Sequence, residues 1–344
     1  MFVDLSIVDA LFEPLAARQL VRASSADRNT TFNDTLLDVG VGYLSLVRAQ
    51  VRVAIAEEAS SNAEELARIT RDFASTGQGL QADADRAQIE AASRSRDVWQ
   101  AREDVAVISA ELARLLRLDP SVRLEPADRV PLELEFVDRS APLQSLIGQA
   151  LSARPELAAA GAERQAAAIR RRQEQLRPWL PNLYAGVSGG GFGGGTGSNI
   201  DNFGGRSDFD VAAVWQVENL GFGNSARQRA AQSSTREASL TVQQTRDLVA
   251  TEVTQAYQRI LMRAKQVEVT RSPVESAIQA LQLNLEGIRA GELRPIEIQQ
   301  AIGALSSARA QLVDAVTDYD AAQFQLLRAI GQMPDPANGD THLR

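Results

Sequence analysis

Gly291-Glu292-Leu293-Arg294-Pro295-Ile296-Glu297-Ile298-Gln299-Gln300-Ala301 decides how this sequence is read, because it occurs twice. Its counterpart, 214 residues earlier, is Gly77-Gln78-Gly79-Leu80-Gln81-Ala82-Asp83-Ala84-Asp85-Arg86-Ala87. Glycine matches glycine, the acid Asp83 matches the acid Glu297, and Ala87 matches Ala301. The same offset joins Tyr43 to Tyr257, Leu112 to Leu326 and Pro120 to Pro334. Spacing kept constant over about 80 residues marks a structural duplication.

Working outward, each glycine break separates two apolar-periodic segments. Before Gly291, Val274, Ile278, Leu281, Leu285 and Ile288 advance by four, three, four and three, the rhythm of one helix face. After it, Ile298, Ile302, Leu305, Leu312, Val316, Tyr319, Leu326 and Ile330 keep that register. The first copy is weaker, with Val39, Tyr43, Leu46 and Val53 on one stripe and Leu66, Thr70 and Phe73 on a later one. The pattern predicts two helical hairpins, each return helix ending at a proline, Pro120 or Pro334. A helix from about Pro14 to Ser75 would span roughly 90 Å, one from Asn224 to Arg289 rather more, and Pro273 should kink the second. Stripes built largely of alanine favour close packing of several helices over one thick core.

Composition removes whole classes of function. The 344 residues hold no cysteine, and the single histidine, His342, lies two residues from the C-terminus. Thiol chemistry, disulfides, a Ser–His–Asp triad and a His-built metal site are thereby set aside. No acid–base or nucleophile constellation can be assembled, so the chain is not expected to be an enzyme or to hold a cofactor. Lys+Arg number 36 against 44 Asp+Glu, a formal charge of −8, which argues against a nucleic-acid partner. Lys265 is the one lysine, and no phosphate-binding loop can be written around it. No run reaches about 18 apolar residues, which argues against a membrane helix but leaves membrane strands open.

Between the copies, residues 118–152 are proline-rich and irregular, and a short helix follows from about Pro155 to Arg177. After Pro178-Trp179-Leu180-Pro181 the composition shifts: Leu183–Ser188 and Phe209–Val217 read as strands of a hairpin, joined by a loop from Gly189 to Asp208. Gly189, Gly191 and Gly194 formally match a dinucleotide fingerprint, but no helix follows, so the loop reading is preferred. Val3–Val8 reads as another strand, and Leu11-Phe12 with Ala17-Arg18-Gln19 after it resembles Gly221-Phe222 with Ala226-Arg227-Gln228. Trp215 suits a lipid-facing anchor or a contact with a neighbouring protomer, and Arg170-Arg171-Arg172 a solvated helix face.

This order of motifs resembles the TolC family of outer-membrane efflux proteins. The resemblance rests on Asp9–Phe12 with Pro14–Gln19 at the passage from strand to helix, Arg154-Pro155-Glu156-Leu157 in mid-chain, Leu180-Pro181-Asn182-Leu183 before the second strand pair, and the two glycine tips. It implies a mainly α protomer with a small β part: long antiparallel helical hairpins in two repeats plus membrane strands. The implied division is an outer-membrane strand over 1–13, helical hairpins over 14–117 and 223–334, an equatorial segment and helix over 118–180, a membrane β-hairpin over 181–222 and a tail over 335–344. The signal peptide, first long helices and first strand of the family have no counterpart here, so the chain resembles the C-terminal three quarters of a member, and strand 3–8 is expected to lack its partner.

By the same resemblance the protein would be a homotrimer in outer-membrane lipid, a passive exit duct for efflux or type I secretion that meets a periplasmic adaptor and an inner-membrane pump. Its adaptor-docking tips would be Gly77, Gly79 and Leu80 on one hairpin and Gly291, Leu293 and Arg294 on the other. Asp83 and Glu297 would face the lumen as a gate, with Arg86 and Gln300 where the family has a second acid, and Arg86 and Arg294 as partners holding the ring. The competing expectation is a soluble coiled-coil scaffold with no transport role. The strands discriminate the two, because a scaffold has no use for them.

Overall fold

The computed structural model describes residues 2–128, 130–194, 204–290 and 294–333. Its elements are strand β1 (Phe2–Ser6), helices α1 (Ile7–Ser75), α2 (Gln81–Leu115), α3 (Leu143–Ala153) and α4 (Pro155–Leu176), strands β2 (Asn182–Phe192) and β3 (Gly204–Val214), and helices α5 (Phe222–Arg289) and α6 (Pro295–Ala329). The repeat is visible in the bounds. Gln81 and Pro295 open the return helices and Leu115 and Ala329 close them, both pairs 214 residues apart.

Several boundaries differ from the sequence expectation. The first helix starts at Ile7 and not at Pro14, because the Ser6 hydroxyl accepts the Asp9 amide (3.3 Å) and caps the helix there. Pro14 and Pro273 lie inside helices that run on past them. The return helix α2 ends before Pro120. The Leu118 amide reaches back to the Ala113 carbonyl (2.9 Å), and the Gln332 amide to Leu327 (3.0 Å) after α6. Pro334 and His342 lie outside the described residues. Strands β2 and β3 are longer than expected, taking in Gly189–Phe192 and Gly204–Asp208; the rest of the expected loop, 195–203, lies outside the described residues. Strand β1 has a partner after all. It pairs antiparallel with β2, giving a sheet of order β1-β2-β3.

The chain divides into two compact units. The first comprises Met1–Thr30 and Arg154–Leu248: the sheet, α4 and the first parts of α1 and α5. Alanine dominates the buried positions of its helices, with Ala16, Ala23 and Ala26 of α1 and Ala159, Ala162 and Ala166 of α4 all buried. At the root of the sheet, Arg177 donates to Asp9 (2.6 Å) and to Glu174 (3.0 Å), while Gln173 donates to Asp9 (2.8 Å). Helix α5 is tied to α4 by Thr235, whose hydroxyl reaches the Ala167 carbonyl (3.3 Å).

The second unit, Thr31–Ala153 with Val249–Arg344, contains the ends of all four long helices. Its apolar cluster joins Leu66 and Ala63 of α1, Ala87 and Ala91 of α2, Leu281 and Ile288 of α5, and Ile298, Ile302 and Leu305 of α6. Above it, Arg52 of α1 pairs with Asp314 of α6 (2.7 Å), and Asp318 takes both Arg48 (3.4 Å) and Arg263 (3.0 Å). The irregular segment after α2 is pinned by polar side chains. Asp320 accepts the Leu134 amide (2.8 Å), Gln323 accepts that of Val137 (3.1 Å), and Phe136 meets Phe324 edge-on at 4.8 Å.

Candidate functional site: a two-faced sheet and the helical tips

Antiparallel pairing puts directly opposed residues on one face. The register aligns Leu5 with Leu183 and Ala213, Val3 with Ala185 and Val211, and Val187 with Phe209. Apart from Ser207, opposite Gly189, every residue of that face is apolar or glycine. Val3, Leu5, Leu183, Val187, Phe209 (72%) and Val211 (66%) are nonetheless exposed. The opposite face aligns Asp4 with Tyr184, Ser6 with Asn182, Gly186 with Asp210 and Ser188 with Asp208. On it, Phe2 covers Gly186, where an added Cβ would come within 2.8 Å of the Phe2 ring. A sheet almost wholly apolar on one side, carrying Asp4, Asp208 and Asp210 beside Phe2, Ala212 and Val214 on the other, and open on both, is the pattern of a wall between lipid and water. Trp215 follows β3 and donates its indole N–H to the Trp179 carbonyl (3.4 Å), setting two exposed tryptophans together at the sheet's root.

The first tip is a tight reversal. Gly77 takes φ +73°, a conformation that a side chain resists. The amides of Gln78 and Gly79 both donate to the Phe73 carbonyl, at 2.9 and 3.0 Å. Gly79 is held so close that an added Cβ would stand 3.1 Å from that of Phe73. Leu80 then caps α2 by its backbone and stays 70% exposed. At the second tip, Gly291 and Leu293 lie outside the described residues, and Arg294 caps α6 by its backbone ahead of Pro295.

Asp83 and Glu297 fall at the same place, the third residue of their helices. A carboxylate there meets the positive end of the helix dipole, a local reason for an acid at both positions. Asp83 is joined by Arg86 of its own helix (3.8 Å), and among the described residues neither pairs with the other hairpin. Among the described residues Glu297 and Arg294 form no ion pair, and Gln300 is exposed without a hydrogen bond. The sequence reading missed Arg71, which bridges α1 to Gln88 of α2 beside the tip, and Asn284, whose amide donates to the Glu297 carbonyl (3.4 Å). It also missed Asp320 and Gln323, whose signal was legible: two polar residues within the apolar stripe of α6. Among the described residues no cluster of His, Asp or Glu could hold a metal ion.

Comparison with known proteins follows the same line. The profile of the family described as outer membrane efflux protein matches residues 146–332. Pairwise comparison with curated proteins gives no match. Among solved structures, the chain is similar to the outer-membrane channel OprN, with 22% identity and a TM-score of 0.75, covering 92% of this chain and 70% of that one. It is likewise similar to the Campylobacter jejuni CmeC outer membrane channel (15%, 0.81, 98% and 72%) and to the Neisseria gonorrhoeae MtrE outer membrane channel (19%, 0.68, 93% and 71%). These likenesses establish a shared fold, long helical hairpins with a small sheet.

Proposed function

This chain belongs to the outer membrane efflux protein family, and from that membership we infer that it forms an exit duct, its strands in the outer membrane and its helices in the periplasm. One observation carries the reading: the apolar face built from β1, β2 and β3 is open, while the facing side of the same strands carries Asp4, Asp208 and Asp210. Lipid on one side and water on the other satisfy both faces at once. A soluble scaffold would leave the apolar face in water, and nothing in the molecule favours that reading.

Three strands are too few to close a barrel, and an open strand edge invites pairing with another chain. A homotrimer that shares one barrel answers both problems. The helical tips, which carry Leu80 on one hairpin and Leu293 in the sequence of the other, then form the periplasmic end that meets an adaptor protein working with an inner-membrane pump. Asp83 and Glu297, with Arg86 and Gln300 one turn on, line the lumen just inside. Export in living cells tests this. Replacing Gly77 and Gly291 with valine should abolish export while crosslinked trimer remains in the outer-membrane fraction. Unchanged export in both variants would remove the docking role, and a protein found only as soluble monomer would remove the duct.

A further inference from the structure

The first unit carries a surface that the duct reading leaves unused. Exposed apolar residues gather where helices meet the sheet: Leu11 and Leu15 on α1, Trp179 after α4, and Phe222 at the start of α5. Further along each helix, away from the sheet, stand exposed arginines: Arg18 and Arg22 on α1, Arg171 and Arg172 on α4, Arg229 on α5 and, two turns beyond it, Arg236. The spacing puts them on the same helix faces as the apolar residues. Leu11 and Arg18, Leu15 and Arg22, Phe222 and Arg229, and Arg229 and Arg236 are each seven residues apart.

Among the described residues none of these six arginines forms an ion pair. Their neighbours do: Arg177 is held by Asp9 and Glu174, and Arg227 by Glu218. In the second unit Arg48, Arg52, Arg94, Arg102, Arg263 and Arg309 are all paired with carboxylates. Exposed arginines without an ion pair also stand in the second unit, at Arg114, Arg117 and Arg123; what sets this band apart is that its arginines follow exposed apolar residues on three helices, in a protein whose net charge is −8.

We propose that this arginine collar binds the phosphate groups of anionic phospholipid in the membrane leaflet at the root of the sheet. The proposal rests on the sheet lying in a membrane. Given that, the exposed Leu, Trp and Phe side chains mark the edge of the hydrocarbon, and five of the arginines follow at roughly 5–12 Å along the helices, with Arg236 about 21 Å from Phe222 at the outer limit of the band. A headgroup layer is about 5–8 Å thick, so guanidinium groups on flexible stems meet phosphate there. Arginine suits the task better than lysine, since its planar fork takes two phosphate oxygens at once.

The test incorporates the whole purified protein into nanodiscs of phosphatidylglycerol and phosphatidylcholine in equal parts and reads the retained lipid by mass spectrometry. The wild type should retain phosphatidylglycerol in excess, less so at high salt. The Arg18→Gln/Arg22→Gln/Arg229→Gln variant should lose that preference by about fivefold per arginine, and the corresponding triple lysine variant should keep part of it. Arg123→Gln removes an exposed arginine of the second unit and should change nothing. A wild type that inserts and conducts ions but holds both lipids equally overturns the collar and leaves the duct standing. So does a preference that survives the triple glutamine variant, or one that Arg123→Gln reduces as much. A wild type that never enters a bilayer overturns the duct and the collar together.

Discussion

Arg117 and Gly331, 214 residues apart, hold the same left-handed backbone conformation, with φ of +59° and +76°. Each follows a return helix and lets the next amide, Leu118 or Gln332, close back onto that helix. Gly331 adopts this geometry freely, whereas Arg117 carries a Cβ against the following carbonyl at a cost of roughly 1 kcal/mol. Arg117→Gly should leave thermal stability unchanged or raise it by up to about 1 kcal/mol, and Gly331→Ala should lower it by about that much. Thermal unfolding of the detergent-solubilised protein measures both. Equal losses at the two sites would refute the argument.

The two faces of the sheet predict opposite outcomes at adjacent positions. Val211 lies on the apolar face and Ala212 on the polar one. Val211→Arg should destabilise folding into lipid vesicles by roughly 2–4 kcal/mol, and Ala212→Arg by far less. Urea titration of vesicle-inserted protein, read by gel mobility, compares them. Similar penalties would mean that the register does not separate lipid from water.

Asp320 makes stability depend on pH. It is fully buried, one carboxyl oxygen accepts the Leu134 amide, and the other has no partner. Burial pushes its carboxyl up to about 7, opposed by the Leu134 amide and aided by the charge of Glu133. The folded protein therefore holds a proton that the unfolded chain releases near pH 4. Stability should fall as pH rises from about 4 to 7, by at most about 1.4 kcal/mol per pH unit, and level off above 7. Asp320→Asn keeps the acceptor and removes the titration, so the melting temperature of the variant minus that of the wild type should rise across this window. A constant difference would assign the slope to other groups.

The acids at the helical tips predict a cation-preferring pore. Three copies of Asp83 and Glu297 around one axis would concentrate negative potential, screened by salt over about 10 Å at 0.1 M. Asp83→Ala/Glu297→Ala should reduce cation selectivity in planar-bilayer recordings of the assembled channel. If conductance and selectivity stay as in the wild type, both acids serve only their helix N-termini, where the dipole already explains them.

The sequence by itself determined the duplication, the paired long helices of each copy and the reversal at Gly77. Heptad spacing, Gly77 and the 214-residue offset are local or periodic signals that survive without knowledge of any partner. It also carried the family, through motifs in a set order. Three features needed the tertiary structure. The pairing of β1 with β2 joins residues some 180 positions apart, and only the register reveals that Val3, Ala185 and Val211 share one apolar face. Where α1 starts depended on where β1 ends: its pairing with β2 runs to Ser6, whose hydroxyl then caps the helix seven residues ahead of the expected start at Pro14. Asp320 and Gln323 read as interruptions of an apolar stripe until the fold brought the backbone amides of Leu134 and Val137 against them, because a buried polar side chain is explained only by the distant donor that satisfies it.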